Sequence, residues 1–148
     1  MLSGVRVAYL CGPPALIENL RPHCPPWSVS LPAQMAACEA LRATDYYQAQ
    51  WRATHLLREE LQQDLEALGW EVIPGCANFL LCHLPGCGPD ATEVSQRSRR
   101  AGLFLREVAN MGSGLDRFSL RVAVKDRRTN HRIREILHAT VRETVSVL

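Results

Sequence analysis

Lysine is almost absent from this 148-residue chain: of its 17 basic residues, only Lys125 is a lysine. Chemistry that needs a side-chain amine therefore has one position to use. No apolar run approaches the roughly 20 residues of a transmembrane helix. The opening Met1–Val7 lacks the basic region and long apolar stretch of a signal peptide, so the expected location is the cytoplasm. The six cysteines (Cys11, Cys24, Cys38, Cys76, Cys82 and Cys87) form no CxxC pair, and in a cytosolic chain they read as free thiols. There is no glycine-rich phosphate loop and no G-x-S-x-G nucleophile elbow. The formal net charge of +2 is too small to imply a polyanionic partner.

What is present is enough to fold. Hydrophobic residues make up 47% and charged residues 22%, a balance that argues against global disorder. Residues 4–10 (Gly-Val-Arg-Val-Ala-Tyr-Leu) are β-rich and read as a strand. Residues 14–21 read as a short helix with proline in its first turn. Three prolines between positions 22 and 26 assign 22–27 to a loop. Ser30 is a good N-cap, and Ala33, Ala36, Ala37, Ala40 and Leu41 follow helical spacing. Thr44 or Asp45 restarts the helix. Leu57, Leu61, Leu65 and Leu68 form its apolar stripe up to Gly69.

The second half alternates short strands and helices. Strands are expected at 71–73, 77–83, 103–106 and 118–124, the second of them buried on both faces. Helices are expected over 90–101 and after Asp126, the latter with Ile133, Ile136, Leu137, Val141 and Leu148 at helical spacing. The expected class is α/β with an α+β small domain: a three- to four-stranded sheet packed by helices, after a long helical segment.

Three arginines stand out. Arg6 and Arg121 lie inside expected apolar strands, and Arg106 ends a third. A guanidinium there is costly to bury unpaired, and its planar fork suits a carboxylate or a phosphate. The bland alternative is an outward-facing edge residue or a structural ion pair. Cys82-His83-Leu-Pro-Gly-Cys87 matches no strong metal motif. Arg127, Arg128, Arg132, Arg134 and Arg142 are interrupted by Asp126, Glu135 and Glu143, which reads as a solvated helix face rather than a nucleic-acid surface.

The order of segments resembles class I/II aminotransferases, enzymes of fold type I that use pyridoxal phosphate. Leu2-Ser-Gly-Val-Arg6-Val-Ala-Tyr-Leu10 resembles the family's "LAGLRLGYL". Pro26-Trp-Ser-Val-Ser30 and Ala33-Gln-Met-Ala-Ala37 resemble the entry to its interdomain helix. Pro74-Gly-Cys-Ala-Asn-Phe-Leu-Leu81 resembles "PSxANFLL", Gly102-Leu-Phe-Leu-Arg106-Glu resembles "GIxVRD", and Phe118-Ser-Leu-Arg121-Val-Ala-Val resembles "FIRVAV". Within the family the look is nearest to the histidinol-phosphate aminotransferase and L-threonine-O-3-phosphate decarboxylase group, the latter of cobalamin synthesis. The resemblance implies that Arg6 holds the cofactor phosphate, Arg121 the substrate α-carboxylate, and Arg106 the far end of a phosphorylated amino-acid-like substrate. It also implies a homodimer in the whole enzyme, with neither nucleic acid nor membrane as partner.

The resemblance further implies three parts: 1–28 as a remnant of the large cofactor domain, 29–68 as the interdomain helical segment and 69–148 as the small domain. The family's Schiff-base lysine lies upstream of the arginine matched by Arg6, at a position that falls before Met1, and Lys125 follows the last expected strand. The chain thus reads as a C-terminal fragment of such an enzyme or, alternatively, as a non-catalytic binding module that keeps the small-domain fold. Residues 1–21 are expected to be loosely held, because their sheet neighbours in the family lie upstream. Borohydride reduction of the chain mixed with pyridoxal phosphate should leave no stoichiometric lysine adduct. A reducible adduct on Lys125 with turnover would contradict this.

Overall fold

The computed structural model describes residues 3–142, which form five α-helices and four strands. The chain divides into two compact units, residues 1–50 and 51–148.

The first unit holds a 3-10 turn at Ser3–Val5, helix α1 (Pro14–Leu20), a second 3-10 turn at Arg21–His23, helix α2 (Leu31–Arg42) and the start of helix α3 (Thr44–Glu66). The reasons are local. Pro14 occupies the first turn of α1, where its missing N–H costs nothing. The Ser30 hydroxyl accepts from the Ala33 N–H at 3.4 Å and caps α2. Ala43 closes α2, with its N–H on the carbonyls of Glu39 and Ala40, and α3 begins at the next residue. Proline does not exclude the 3-10 turn at Arg21–His23, because Pro22 sits where no donor is needed.

The expected strand over 4–10 does not form. Residues 7–13 carry no regular structure, and Arg6 occupies a left-handed turn with φ +57°. A strand needs a neighbour for its N–H and C=O groups, and no described strand pairs with this segment. Its side chains follow suit: Tyr9 is 78% and Leu10 67% exposed. Among the described residues of this unit Ala33 alone is buried. High local sequence propensity for a strand is present, but nothing here rewards it.

The second unit is built round an antiparallel sheet of β1 (Glu71–Ile73), β2 (Phe79–His83), β3 (Arg106–Glu107) and β4 (Ser119–Ala123), in the order β1-β2-β4-β3. Register places Val72, Cys82 and Leu120 in one row and Leu80 beside Val122 in the next. These residues are buried and meet Leu61 and Leu65 of α3, Ala91 and Val94 of α4 (Ala91–Arg100), and Ile133 and Leu137 of α5 (Arg127–Arg142). β2 alternates half-buried and buried residues, so it is covered on one face rather than on both. Antiparallel strands commonly bury a single face, and the sheet's helices pack on that one.

The edge strand is also shorter and later than its sequence suggests. Leu103–Leu105 are not a strand; pairing begins at Arg106. Leu103 and Leu105 instead pack against the core. Gly69 and Gly102 take φ +79° and +80° just beyond α3 and α4, conformations that close a helix and suit glycine. Asp90 caps α4 through the Glu93 N–H at 3.0 Å. Buried Asn130 joins two elements: its side chain accepts from the Lys125 N–H at 2.9 Å and donates to the Leu57 carbonyl at 3.4 Å. Leu148 lies outside the described residues.

Burial pushes the Cys82 thiol up to about 12, so it stays protonated and behaves as a small core hydrophobe. Fully buried Leu80 and Leu120 hold the sheet to the helices. Leu120→Ala should cost about 2 to 5 kcal/mol in denaturant unfolding. Amide exchange should be slow in β2 and β4 and fast over residues 4–13; strong protection over 4–13 in a monomer would contradict this.

Candidate anion site on the open face of the sheet

The same alternation that buries Leu120 and Val122 turns Arg121 to the opposite face. In one row across that face stand Ile73, Leu81, Arg121 and Arg106, with Leu81 and Arg106 on either side of Arg121. Two arginines directly opposite one another on adjacent strands repel, and such pairs destabilise a sheet when nothing lies between them. Arg106 is exposed and Arg121 half-buried. Among the described residues neither has a carboxylate partner. The Arg121 guanidinium instead lies over the Phe79 ring, with Cζ 4.7 Å from its centroid. A cation–ring contact uses none of the guanidinium's hydrogen-bonding capacity for a carboxylate, so donors are left for other acceptors.

Arg6 belongs to the first unit. It is exposed, and it too has no carboxylate partner among the described residues. The structural ion pair considered for these arginines is thus not made within the described residues by any of the three. The Arg6 guanidinium suits a cofactor phosphate, and among the described residues no other group is placed with it to complete such a site. Lys125, the one amine side chain, is exposed beyond β4, and its backbone N–H is tied to Asn130. No chemical step is therefore assigned to the cofactor.

Beside the arginine row lies a polar cluster that sequence reading did not single out. His83 pairs in register with Ser119. The Ser119 hydroxyl donates to Asp116 Oδ1 at 3.0 Å and lies 3.0 Å from His83 Nδ1. It also accepts from the Asp116 N–H at 2.9 Å. A hydroxyl has one proton, so donating it to Asp116 leaves Ser119 to accept from His83 Nδ1–H. Ser119 is fully buried and cannot act as a nucleophile on an external substrate. Its role is to pin the loop before β4. Cys82 and His83 point to opposite faces of β2 by alternation, so the Cys82–Cys87 segment does not gather them round one point.

The family model for aminotransferase class I and II matches residues 1–138. The chain belongs to this family. Histidinol-phosphate aminotransferase of Nitrobacter winogradskyi is 33% identical over 110 residues, 74% of this chain and 30% of that protein. Histidinol-phosphate aminotransferase 2 of Gluconobacter oxydans is 35% identical over 101 residues, 66% of this chain and 28% of its own length. The chain thus spans less than a third of these aminotransferases. The fold agrees with solved structures: histidinol-phosphate aminotransferase from Clostridium acetobutylicum (TM-score 0.75, 23% identity, 87% of this chain and 38% of that one), and L-threonine-O-3-phosphate decarboxylase from Porphyromonas gingivalis (TM-score 0.69, 21% identity, 92% and 42%). No helix among the described residues of this family member is long and apolar enough to cross a membrane.

The carboxyl of Asp116 is held below its ordinary value, first by the Phe118 N–H and then by the Ser119 hydroxyl and the nearby His83. Asp126 is lowered by the Thr129 hydroxyl and the Thr129 N–H, as the cap of α5. A depressed folded value means stability that is complete above the ordinary carboxylate value and is lost as pH falls through the lowered one. The acid limb of stability, below about pH 4, should therefore flatten when Asp116 and Asp126 are both changed to Asn. An unchanged acid limb would contradict the assignment. Ser119→Ala should cost about 1 to 3 kcal/mol, because it strands the Asp116 N–H and the His83 ring.

Proposed function

We propose that this chain supplies the anion-anchoring part of a pyridoxal-phosphate-dependent enzyme acting on a phosphorylated amino-acid-like substrate. The observation that carries the reading is the facing, carboxylate-free pair Arg106–Arg121 on the open sheet face. In this reading Arg121 holds the substrate α-carboxylate, Arg106 meets the far, phosphate-bearing end, and Arg6 meets the cofactor phosphate. Residues 1–28 correspond to a strip of the large domain, 29–68 to the interdomain segment and 69–148 to the small domain. The whole enzyme is a cytoplasmic homodimer.

The chemistry needs such anchors. Pyridoxal phosphate, when bound, supplies an electron sink for the bond to be broken at Cα. What these residues do is fix the substrate's angle. A carboxylate gripped bidentately cannot rotate, so one bond at Cα is selected for alignment with the ring. That selection distinguishes C–H loss, as in a transaminase, from C–COO⁻ loss, as in a decarboxylase. The names of the relatives support both.

The alternative is a binding module of the same fold without catalysis. Genomic DNA upstream of Met1 bears on the two: an in-frame lysine motif supports the enzyme, and a stop codon close upstream favours a remnant or a split chain. The anchors are tested by titrating the chain with O-phospho-L-threonine. Arg121→Lys and Arg106→Gln should each weaken binding roughly tenfold, about 1.4 kcal/mol. Unchanged affinity in both would overturn the proposal.

A further inference from the structure

Four cross-strand neighbours on the open face bear on the Arg121 side chain, and one of them, His83, is already engaged with the Ser119 hydroxyl. Toward β3 stands Arg106, of like charge and directly opposite. Toward β2 stands Leu81, which has no polar atom to offer. Diagonally along β2 lies Phe79, two residues from Leu81 on the same face. Diagonal neighbours on a sheet are separated by roughly 7 to 8 Å, within reach of a long side chain and an aromatic ring. The guanidinium has turned to Phe79, at 4.7 Å from the ring centroid. Repulsion from Arg106 and attraction to the ring act in the same sense.

Phe79 is itself well fixed. It is half-buried and paired with Ala123 at the end of β2, and the next residue, Leu80, is fully covered by the core. Just past this pair, the Asn78 carbonyl accepts from the Val124 N–H at 2.9 Å. The backbone that carries the ring is therefore fixed by the same strand pairing that holds Arg121. An arginine side chain has much rotamer freedom to lose when it is ordered. A platform that restrains it in the free protein reduces what must be ordered when an anion arrives.

We propose that Phe79 is a positioning residue for Arg121: it restrains the guanidinium beside its ring, so that the N–H donors are already partly ordered when a carboxylate arrives. The proposal rests on the reading of Arg121 as the carboxylate anchor.

The test uses the full chain with 15N-labelled arginine, in which the Arg121 Nε–H reports both ring contact and mobility. In the free wild-type chain this resonance should be shifted upfield by the Phe79 ring, and relaxation should show a restrained guanidinium. Phe79→Leu should abolish that shift, increase guanidinium mobility and weaken O-phospho-L-threonine binding roughly 3- to 10-fold. Phe79→Tyr should restore all three, which a variant damaged only in folding would not do. Backbone resonances of Leu80 and Val122 verify that the sheet is intact. If wild type binds the probe and Arg121→Lys does not, but Phe79→Leu binds as wild type does, the role of Phe79 is overturned and the anchor stands. If wild type shows no response to the probe, or Arg121→Lys binds unchanged, the anchor reading falls, and the positioning role falls with it.

Discussion

The pairing of β2 with β4 is the constraint on which the rest depends. Leu81 opposite Arg121 and Cys82 opposite Leu120 are consecutive rungs of the same ladder. The first sets the chemistry of the open face and the second sets the core. A slip of one residue would exchange the two faces and send Arg121 into the helices while Leu120 met water. The core therefore enforces the site. Each apolar residue that demands burial also specifies where its charged neighbour must point, and no separate device is needed to aim the arginines outward.

Much of this was legible in the sequence because it is local. Ser30 ahead of an alanine-rich helical pattern and the leucine stripe ending at Gly69 are signals contained within a few residues, and the elements fall where those signals stand. The family motifs added order along the chain. The failures were failures of neighbourhood. Residues 4–10 have strand composition, but a strand is a relation between two segments, and composition reports on one. The two-faced burial expected of β2 failed for the same reason: an apolar run does not say how many layers will cover it.

The site was half legible. Arg106 and Arg121 could be named from sequence, but their opposition on neighbouring strands is a matter of register across a separation of 15 residues in the chain. Ser119 carried no signal at all. A serine at the start of an apolar strand looks incidental until folding places it between Asp116 and His83. Phe79 was read as part of an apolar run, and only the fold brings a guanidinium over its ring.

The six thiols illustrate how unevenly the molecule is covered. Cys11, Cys24, Cys38, Cys76 and Cys87 are exposed, while Cys82 is sealed between the sheet and its helices and kept protonated. A thiolate-seeking reagent meets five sulfurs at once and the sixth only when β2 parts from the core. Cys82 thus serves as an internal clock for the opening of the sheet. Its rate of modification counts how often the sheet parts from its helices.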